Sequence, residues 1–231
     1  TDAGGATAIE RLGRFFNRKH YRYERPVHEQ LVPISKTGKS SCYPVPVAVN
    51  HVGYSGDKTQ LAKKANRNLE LLLASLTDYP DAYTYYQIGQ CYYIMSDWEN
   101  ACIYFEKGLS KLSNYTSDYA QLMVINYGYC LDHLGKPSEA IAFLEPLQTS
   151  LNFLADYAFL LGFLYMETKN YMKAALNLIR ATTLSDCKVE GTNSYRAFYN
   201  IGALYEMMGD KAMARSFYEK CGNYTPAVQR L

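Results

Sequence analysis

Four glycines in equivalent local frames constrain the fold of this chain more than any other feature. The five-residue frames around them read Ile-Gly-Gln-Cys-Tyr, Tyr-Gly-Tyr-Cys-Leu, Leu-Gly-Phe-Leu-Tyr and Ile-Gly-Ala-Leu-Tyr, with the glycines at Gly89, Gly128, Gly162 and Gly202. Twelve residues after each glycine stands an alanine, and four residues further on stands a large apolar residue: Ala101 and Phe105, Ala140 and Leu144, Ala174 and Leu178, Ala214 and Tyr218. Glycine and alanine allow two helices to approach closely, and the large residue fills the space beside them. The pattern therefore predicts four helix–turn–helix units of roughly 34 residues.

The spacing of the glycines also locates irregularities in the repeat. The middle pair is 34 residues apart, whereas the outer spacings are 39 and 40, which indicates insertions of 5 and 6 residues. Pro137 falls at a predicted helix start, where proline is tolerated, and Pro146 is expected to shorten that helix near its end. Thr225-Pro226 marks the end of the last unit. A short polar turn separates the two helices of each unit: Ser96-Asp97, Gly135-Lys136, Lys169-Asn170 and Gly209-Asp210.

With these offsets, the chain resembles tetratricopeptide repeat (TPR) proteins over about Asp81 to Leu231. The resemblance implies an all-α fold, a TPR-type α-solenoid of antiparallel helix pairs, preceded by a short mixed α/β segment. Ahead of the repeats, an amphipathic pattern starts at Asp57 and includes Leu61, Ala65, Leu69, Leu72 and Leu76. It predicts a helix that caps the open end of the solenoid. We therefore expect a first segment at residues 1–56, a capping helix at 57–80 and about four repeats at 81–231.

Composition excludes several classes of function. The formal net charge is only +2, which gives no support for binding to nucleic acid or to an anionic membrane. The one basic cluster, Lys63, Lys64 and Arg67, is typical of a solvated helix face. No apolar run is long enough to span a membrane. We interpret the chain, which begins at Thr1, as a piece cut from a longer protein.

The six cysteines contain no Cys-x-x-Cys and no spacing typical of metal ligands. Cys91, Cys102 and Cys130 lie within predicted helices, next to the packing positions of the repeat. The pattern favours small buried thiols in a reducing compartment. The expected location is the cytoplasm.

The first fifty-five residues lack the repeat pattern and carry a second resemblance. Val45, Val47 and Val49 alternate with other residues around Pro46, which predicts a short strand with edge character. This segment resembles the end of the catalytic domain of a family 2 glycosyltransferase of the GT-A type. Such domains end with an acidic pair, a helix, a Gly-Lys turn, a short strand and a histidine, which the resemblance places here at His28-Glu29, Leu31–Thr37, Gly38-Lys39, Val45–Val49 and His51.

The glycosyltransferase resemblance implies roles for three of these residues. Glu29 occupies the place of the carboxylate that removes a proton from the acceptor, and His28 would orient Glu29 or contact the acceptor. His51 would be one ligand of a divalent metal that stabilises the diphosphate leaving group. The nucleotide-binding half is missing, so we expect the metal and the nucleotide sugar only in the parent enzyme, with no cofactor and no activity in this chain. The residues alone leave another reading open, in which Glu29 caps a helix and His51 ends a strand.

The TPR resemblance implies a concave surface formed by the first helix of each unit. On each first helix, the residues six and three before the glycine and one and four after it share one face. Arg196 is the only basic residue on this face, which disfavours a site for the terminal carboxylate of a peptide. The candidate partner-binding residues are Tyr83, Tyr86, Gln90, Tyr93, Ile125, Tyr129, Phe159, Phe163, Arg196 and Tyr199.

Three functional hypotheses follow from the sequence. In the first, the repeats are an interaction module at the end of a nucleotide-sugar-dependent glycosyltransferase and bind a protein acceptor or partner. In the second, the parent chain is an inverting glycosyltransferase and the repeats serve mainly oligomerisation, so that self-association or the catalytic domain covers the aromatic face. In the third, the chain is a plain TPR scaffold with a non-catalytic extension.

Overall fold

A two-stranded hairpin followed by a series of paired helices makes up the fold. The computed structural model describes residues 16–25, 27, 29–35 and 58–231. Within these ranges, nine helices are eight residues or longer, as the helix–turn–helix pattern predicts. The elements are β1 (Tyr21–Glu24), β2 (Gln30–Pro33), α1 (Lys58–Ser75), α2 (Ala82–Ile94), α3 (Trp98–Leu109), α4 (Asp118–His133), α5 (Pro137–Leu144), α6 (Gln148–Leu151), α7 (Ala155–Glu167), α8 (Tyr171–Thr183), α9 (Tyr195–Met207), α10 (Lys211–Glu219) and α11 (Thr225–Val228).

The turns inside the helix pairs share one backbone feature. In each of the four turns, one residue adopts a positive φ, a conformation that suits glycine and costs other residues about 1 kcal/mol or more. The second helix then starts with a side-chain cap in three of the four pairs, where Asp97, Asn170 and Asp210 accept a hydrogen bond from a backbone N–H of the first turn. The residues with positive φ are Ser96, Gly135, Lys169 and Gly209.

The second pair has a proline at each end of its later helix. Pro137 is the first residue of α5, where its missing N–H is not needed. α5 ends at Leu144, and a 3₁₀ turn over Glu145–Leu147 contains Pro146 and leads into the short helix α6. The predicted shortening of this helix is therefore confirmed.

The repeat glycines lie where the two helices of a pair cross. A Cβ built at Gly89 would lie 2.5 Å from the Phe105 ring, and one at Gly202 would lie 2.6 Å from the Tyr218 ring. Phe105 is fully buried and Tyr218 is nearly so. The glycine and the large residue sixteen positions later thus form the contact that the spacing predicts.

The amphipathic helix ahead of the repeats caps the first pair. Ala65, Leu69 and Leu72 on α1 pack against Ile88 and Cys91 on α2 in one buried cluster. Five cysteines in the described ranges are free thiols, and burial raises the pKa of Cys91 to about 11. None of the helices that the structure describes is both long and apolar enough to cross a membrane.

The N-terminal hairpin corrects one expectation. The glycosyltransferase resemblance implies a helix over Leu31–Thr37, and this is wrong, because Gln30–Pro33 pairs as a strand with Tyr21–Glu24 in an antiparallel register. Val32 is β-branched and favours the strand, and Pro33 lacks the N–H that a helix interior requires. The strand predicted at Val45–Val49 lies outside the described residues.

Arg25 attaches the hairpin to the first repeat. Its guanidinium donates to the Asp81 carboxylate at 2.6 Å and to the Thr84 hydroxyl at 2.8 Å. The same group lies 5.0 Å from the centre of the Tyr79 ring and 5.1 Å from that of Tyr83. Asp81 is also the N-cap of α2, so one carboxylate holds both the helix start and the hairpin.

The helix pairs stack in chain order and bury a continuous core. The first helices of successive pairs contact each other, α2 with α4, α4 with α7, and α7 with α9. Each second helix packs on its own first helix, and α3, α5 and α8 also pack on the first helix of the next pair. The four first helices therefore form one layer and the second helices the other.

Candidate functional site

The layer of first helices presents the face that the sequence proposed for partner binding. We call the side chains six and three residues before each repeat glycine, and one and four after it, the inner face. These side chains come from α2, α4, α7 and α9, which contact each other in that order. The inner-face positions therefore lie on one continuous layer of helices.

Three of the ten predicted binding residues are part of the core. Tyr86, Ile125 and Phe159 are 6%, 2% and 9% exposed. The Tyr86 ring packs 6.3 Å from that of Phe105 and 6.0 Å from that of Tyr119. The expectation that Tyr86 and Phe159 project freely from the surface disagrees with this burial. These positions fall between adjacent first helices, where the layer closes over them.

The other seven predicted residues are half-buried and can offer part of their surface to a partner. They are Tyr83, Gln90, Tyr93, Tyr129, Phe163, Arg196 and Tyr199.

A pair of side-chain amides connects α2 with α4, the first helices of the first and second pairs, across the inner face. Asn126 Nδ2 donates to Gln90 Oε1 at 2.9 Å, and Gln90 Nε2 donates to the Tyr86 hydroxyl at 2.8 Å. Gln90 and Asn126 are both half-buried. Asn126 was missed from sequence because it lies one position outside the chosen face. Its spacing of 36 residues from Gln90, close to one repeat, is the signal that could have found it.

Aromatic side chains surround the α2 end of the inner face. The Tyr93 ring meets Trp98 edge-on at 5.2 Å, and Trp98 stacks on His133 at 4.1 Å. Burial raises the pKa of Tyr93 to about 12, and burial followed by the nearby Tyr93 raises that of Tyr129 as well. Both phenols are therefore neutral hydrogen-bonding groups at physiological pH.

Two carboxylates on neighbouring first helices, Asp132 on α4 and Glu167 on α7, influence each other electrostatically. Burial and then the negative charge of Glu167 raise the pKa of Asp132 above its usual value. Glu167 is exposed and Asp132 half-buried. Since like charges on neighbouring helices repel each other, this part of the layer favours a positively charged group from a partner.

At the α9 end, the inner face is joined to the C-terminal residues. The Tyr199 ring lies 5.7 Å from both Tyr218 and Tyr224. Glu206 accepts hydrogen bonds from the Tyr218 hydroxyl at 2.6 Å and from Arg230 at 3.0 Å. Arg196 remains half-buried beside them.

Of the three residues to which the glycosyltransferase resemblance gives a role, the structure describes only Glu29. Glu29 lies just before β2 and is exposed. His28 and His51 lie outside the described residues. Within the ranges that the structure describes, no group of three or more His, Cys, Asp or Glu side chains could hold a metal ion.

A tetratricopeptide repeat family model matches residues 82–110 and 195–227. These ranges correspond to the first helix pair and to the last pair with the short helix that follows it. The chain carries tetratricopeptide repeats. The second and third pairs lie between the two matches. A Cβ at Gly162 would meet Leu178 of its own pair at 2.6 Å, whereas one at Gly128 would meet Leu160 of the next pair at 2.8 Å and Leu144 of its own pair at 3.4 Å.

Solved structures share the TPR solenoid fold. MamA is 18% identical, with a TM-score of 0.58, over 79% of this chain and 96% of its own. MamA from Desulfovibrio magneticus RS-1 is 19% identical, with a TM-score of 0.58, over 72% and 94%. YrrB, described as a TPR protein with an unusual peptide-binding site, is 20% identical, with a TM-score of 0.56, over 74% and 87%. No curated protein matches the sequence significantly.

Proposed function

We propose that this chain is a TPR interaction module that binds an extended segment of a protein partner along its inner face. The observation that carries the proposal is the Gln90–Asn126 amide pair, which joins α2 to α4. The half-buried rings of Tyr129 on α4 and Phe163 on α7 belong to the same layer of first helices. Side-chain amides can both donate to and accept from the backbone of an extended peptide, and rings beside them provide apolar contact. YrrB, which shares the fold, is described as having a peptide-binding site.

The charge of the inner face favours a segment with a basic residue. Burial raises the pKa of Asp132, and repulsion by the negative charge of Glu167 raises it further. A lysine or arginine placed between them would relieve this repulsion. The segment we propose is therefore uncharged or apolar along Gln90, Asn126 and Phe163, and basic where it passes Asp132.

A selection with phage-displayed random peptides tests this proposal. Peptides selected on the wild-type chain are measured against Asn126→Ala and Phe163→Ala, with Ile103→Ala as the matched control. Ile103 lies on α3 and is 46% exposed, so its truncation leaves the inner face intact. We expect each inner-face variant to weaken binding about tenfold or more, as loss of a binding anchor does, and the control to bind normally. Equal binding to all three variants would place the site elsewhere.

We further propose that the parent protein is a family 2 glycosyltransferase and that this chain follows its catalytic core. The support is the residue pattern around Glu29, which lies in a hairpin held to the first repeat by Arg25. In the parent, Glu29→Gln should lower turnover steeply while donor binding stays nearly unchanged, because the carboxylate acts on the acceptor proton. If the wild-type parent and its Glu29→Gln variant turn over equally, Glu29 has only a structural role.

The free thiols of Cys91 and Cys130 agree with a cytoplasmic, reducing location.

A second candidate function, self-association, is favoured by an apolar stripe on α8. Met172, Leu176 and Ile179 are 78%, 63% and 45% exposed and follow each other at helical spacing. If the repeats associate through this stripe, Leu176→Glu should convert a dimer to a monomer in light scattering. A wild-type chain that is already monomeric at high concentration would exclude this function.

A further inference from the structure

Both repeat insertions end at the same open cleft, which has a volume of about 560 Å³. The first insertion, between α3 and α4, contributes Tyr115 and the start of α4 contributes Asp118 and Gln121. The second insertion, between α8 and α9, contributes Asp186 and Lys188, and Phe153 after α6 completes one wall. Loops that are inserted into different repeats and still meet at one place merit a functional explanation.

The second insertion is firmly held. Asp156, which is 2% exposed, accepts hydrogen bonds from the backbone N–H of Lys188 at 2.7 Å and of Val189 at 3.0 Å. The Lys188 ammonium reaches across the cleft to the Asp118 carboxylate at 2.8 Å and lies 3.4 Å from that of Asp186. The cleft is thus preorganised, and a ligand would not need to order these loops.

The buried and the charged groups of the cleft have unused hydrogen-bond acceptors. Gln121 is 3% exposed, and its Nε2 donates to the carbonyl oxygens of Tyr115 and Thr116. Its Oε1 is buried and has no hydrogen-bond partner among the residues that the structure describes. Two carboxylates share the single ammonium of Lys188, and their side chains are 79% and 45% exposed. These acceptors favour a ligand that donates hydrogen bonds and carries a positive charge.

We propose that this cleft binds an arginine side chain of a protein segment, at a site separate from the inner face. A guanidinium offers five N–H donors in a plane and pairs with carboxylates through two of them. It also stacks on aromatic rings, and Phe153 is 41% exposed on the wall of the cleft. Asp118 and Asp186, whose side chains are exposed, are the acceptors, and Phe153 is the surface on which the guanidinium lies.

A nuclear magnetic resonance titration tests the cleft with two matched peptides. The ¹⁵N-labelled chain is titrated with Ac-Gly-Arg-Gly-NH₂ and, in parallel, with Ac-Gly-Glu-Gly-NH₂. We expect the arginine peptide alone to shift the backbone amides of residues 113–118 and 186–188 and the Gln121 side-chain amide. Equal shifts with both peptides, or arginine-dependent shifts confined to the inner face, would overturn the proposal. A neutral trisaccharide that shifts the same amides when the arginine peptide does not would also overturn it.

Variants that each remove the charge of one carboxylate test which groups in the cleft accept hydrogen bonds from the arginine peptide. Asp118→Asn and Asp186→Asn should each weaken binding of the arginine peptide about two- to fivefold, the range for a solvent-exposed ion pair. Asp78→Asn, at an exposed carboxylate outside the cleft, is the matched control and should bind normally. Spectra of the free variants that agree with the wild type away from the substitution establish that the fold is intact. Affinities for the two cleft variants equal to that of the control would contradict the proposal.

Discussion

Gly162 lies where α7 crosses α8, and a side chain at this position would collide with Leu178. A Cβ would lie 2.6 Å from Leu178 Cγ and 3.0 Å from the backbone N of the same residue. The leucine side chain could rotate away, but the backbone atom could move only with α8. This contact was predictable from the sequence, because both residues belong to one helix pair and recur at a fixed offset.

Gly162→Leu should therefore destabilise the fold by overpacking, by about 1–3 kcal/mol or more. The measurement is the free energy of unfolding in urea. Ala142→Leu is the control, since Ala142 on α5 is exposed and an added side chain there meets solvent. An unchanged stability for Gly162→Leu would mean that the helices cross elsewhere.

Truncation of a buried ring on the inner face should lower the folding stability more than truncation of a half-buried ring. Tyr86→Ala and Phe159→Ala remove side chains that are 6% and 9% exposed, so each should cost about 3–5 kcal/mol of folding stability. Phe163→Ala removes a half-buried ring and should cost clearly less. Thermal unfolding of the three variants compares them directly. If Tyr86→Ala melts like the wild type, the ring is a surface residue after all.

At the scale of an element, the loop between α8 and α9 is organised by one carboxylate. Asp156 on α7 accepts from Lys188, Val189 and the Thr192 hydroxyl, which lie 32 to 36 residues later in the chain. The sequence predicted that an insertion exists here, because the glycine spacing lengthens to 40. It did not predict the role of Asp156, which was assigned to the inner face. Local periodicity identifies the face of a helix, but not which distant backbone groups lie against it.

Asp156→Ala should release this loop. Two backbone N–H groups and one hydroxyl would lose their acceptor, at a cost of about 1–3 kcal/mol for each group that stays buried and unpaired. Hydrogen exchange at the amides of Lys188 and Val189 reports the change, and we expect it to accelerate strongly. Asp156→Asn keeps one acceptor oxygen, so its exchange rates should lie between those of the wild type and those of Asp156→Ala. Unchanged exchange in Asp156→Ala would show that the loop is held by other contacts.

At the scale of the whole molecule, the hairpin and the repeats are joined through Arg25. The ion pair with Asp81 connects residues 56 positions apart, and Arg25 adopts a φ of 85° to make it. No repeat or periodic pattern contains such a contact, so only a mixed segment ahead of the solenoid could be predicted from the sequence. The helix pairs were predictable because each is a local unit, whereas the hairpin is attached through long-range contacts of Arg25 and Val27.

The pH dependence of stability tests this connection. Burial opposes ionisation of Asp81, but hydrogen bonds from Arg25 and the Thr84 N–H outweigh it and hold the pKa below its usual 3.8. The contribution of the pair is therefore complete above pH 3.8 and is lost as the pH falls through the lowered pKa of the folded state. Asp81→Asn keeps the helix cap but removes the charge. At pH 6 we expect the free energy of unfolding of the wild type to be higher than that of this variant by about 1 kcal/mol or less, because the ion pair is partly solvated.

Unfolding curves between pH 2 and 6 measure this difference, which should shrink below pH 3.8. Arg25→Gln should show the same flattened pH profile as Asp81→Asn. A difference that stays constant across the whole range would mean that the ion pair does not hold the hairpin.

The stacking of helix pairs in chain order has a mechanical consequence. Contacts run from each pair to its neighbours, so under tension on the two chain ends an outer pair can detach while the remaining pairs stay folded. Extension would then occur in steps, each releasing the contour length of one repeat, roughly 110–120 Å at full extension. A protein attached to one end of this chain would thus be connected to whatever holds the other end by a spring that lengthens stepwise with load.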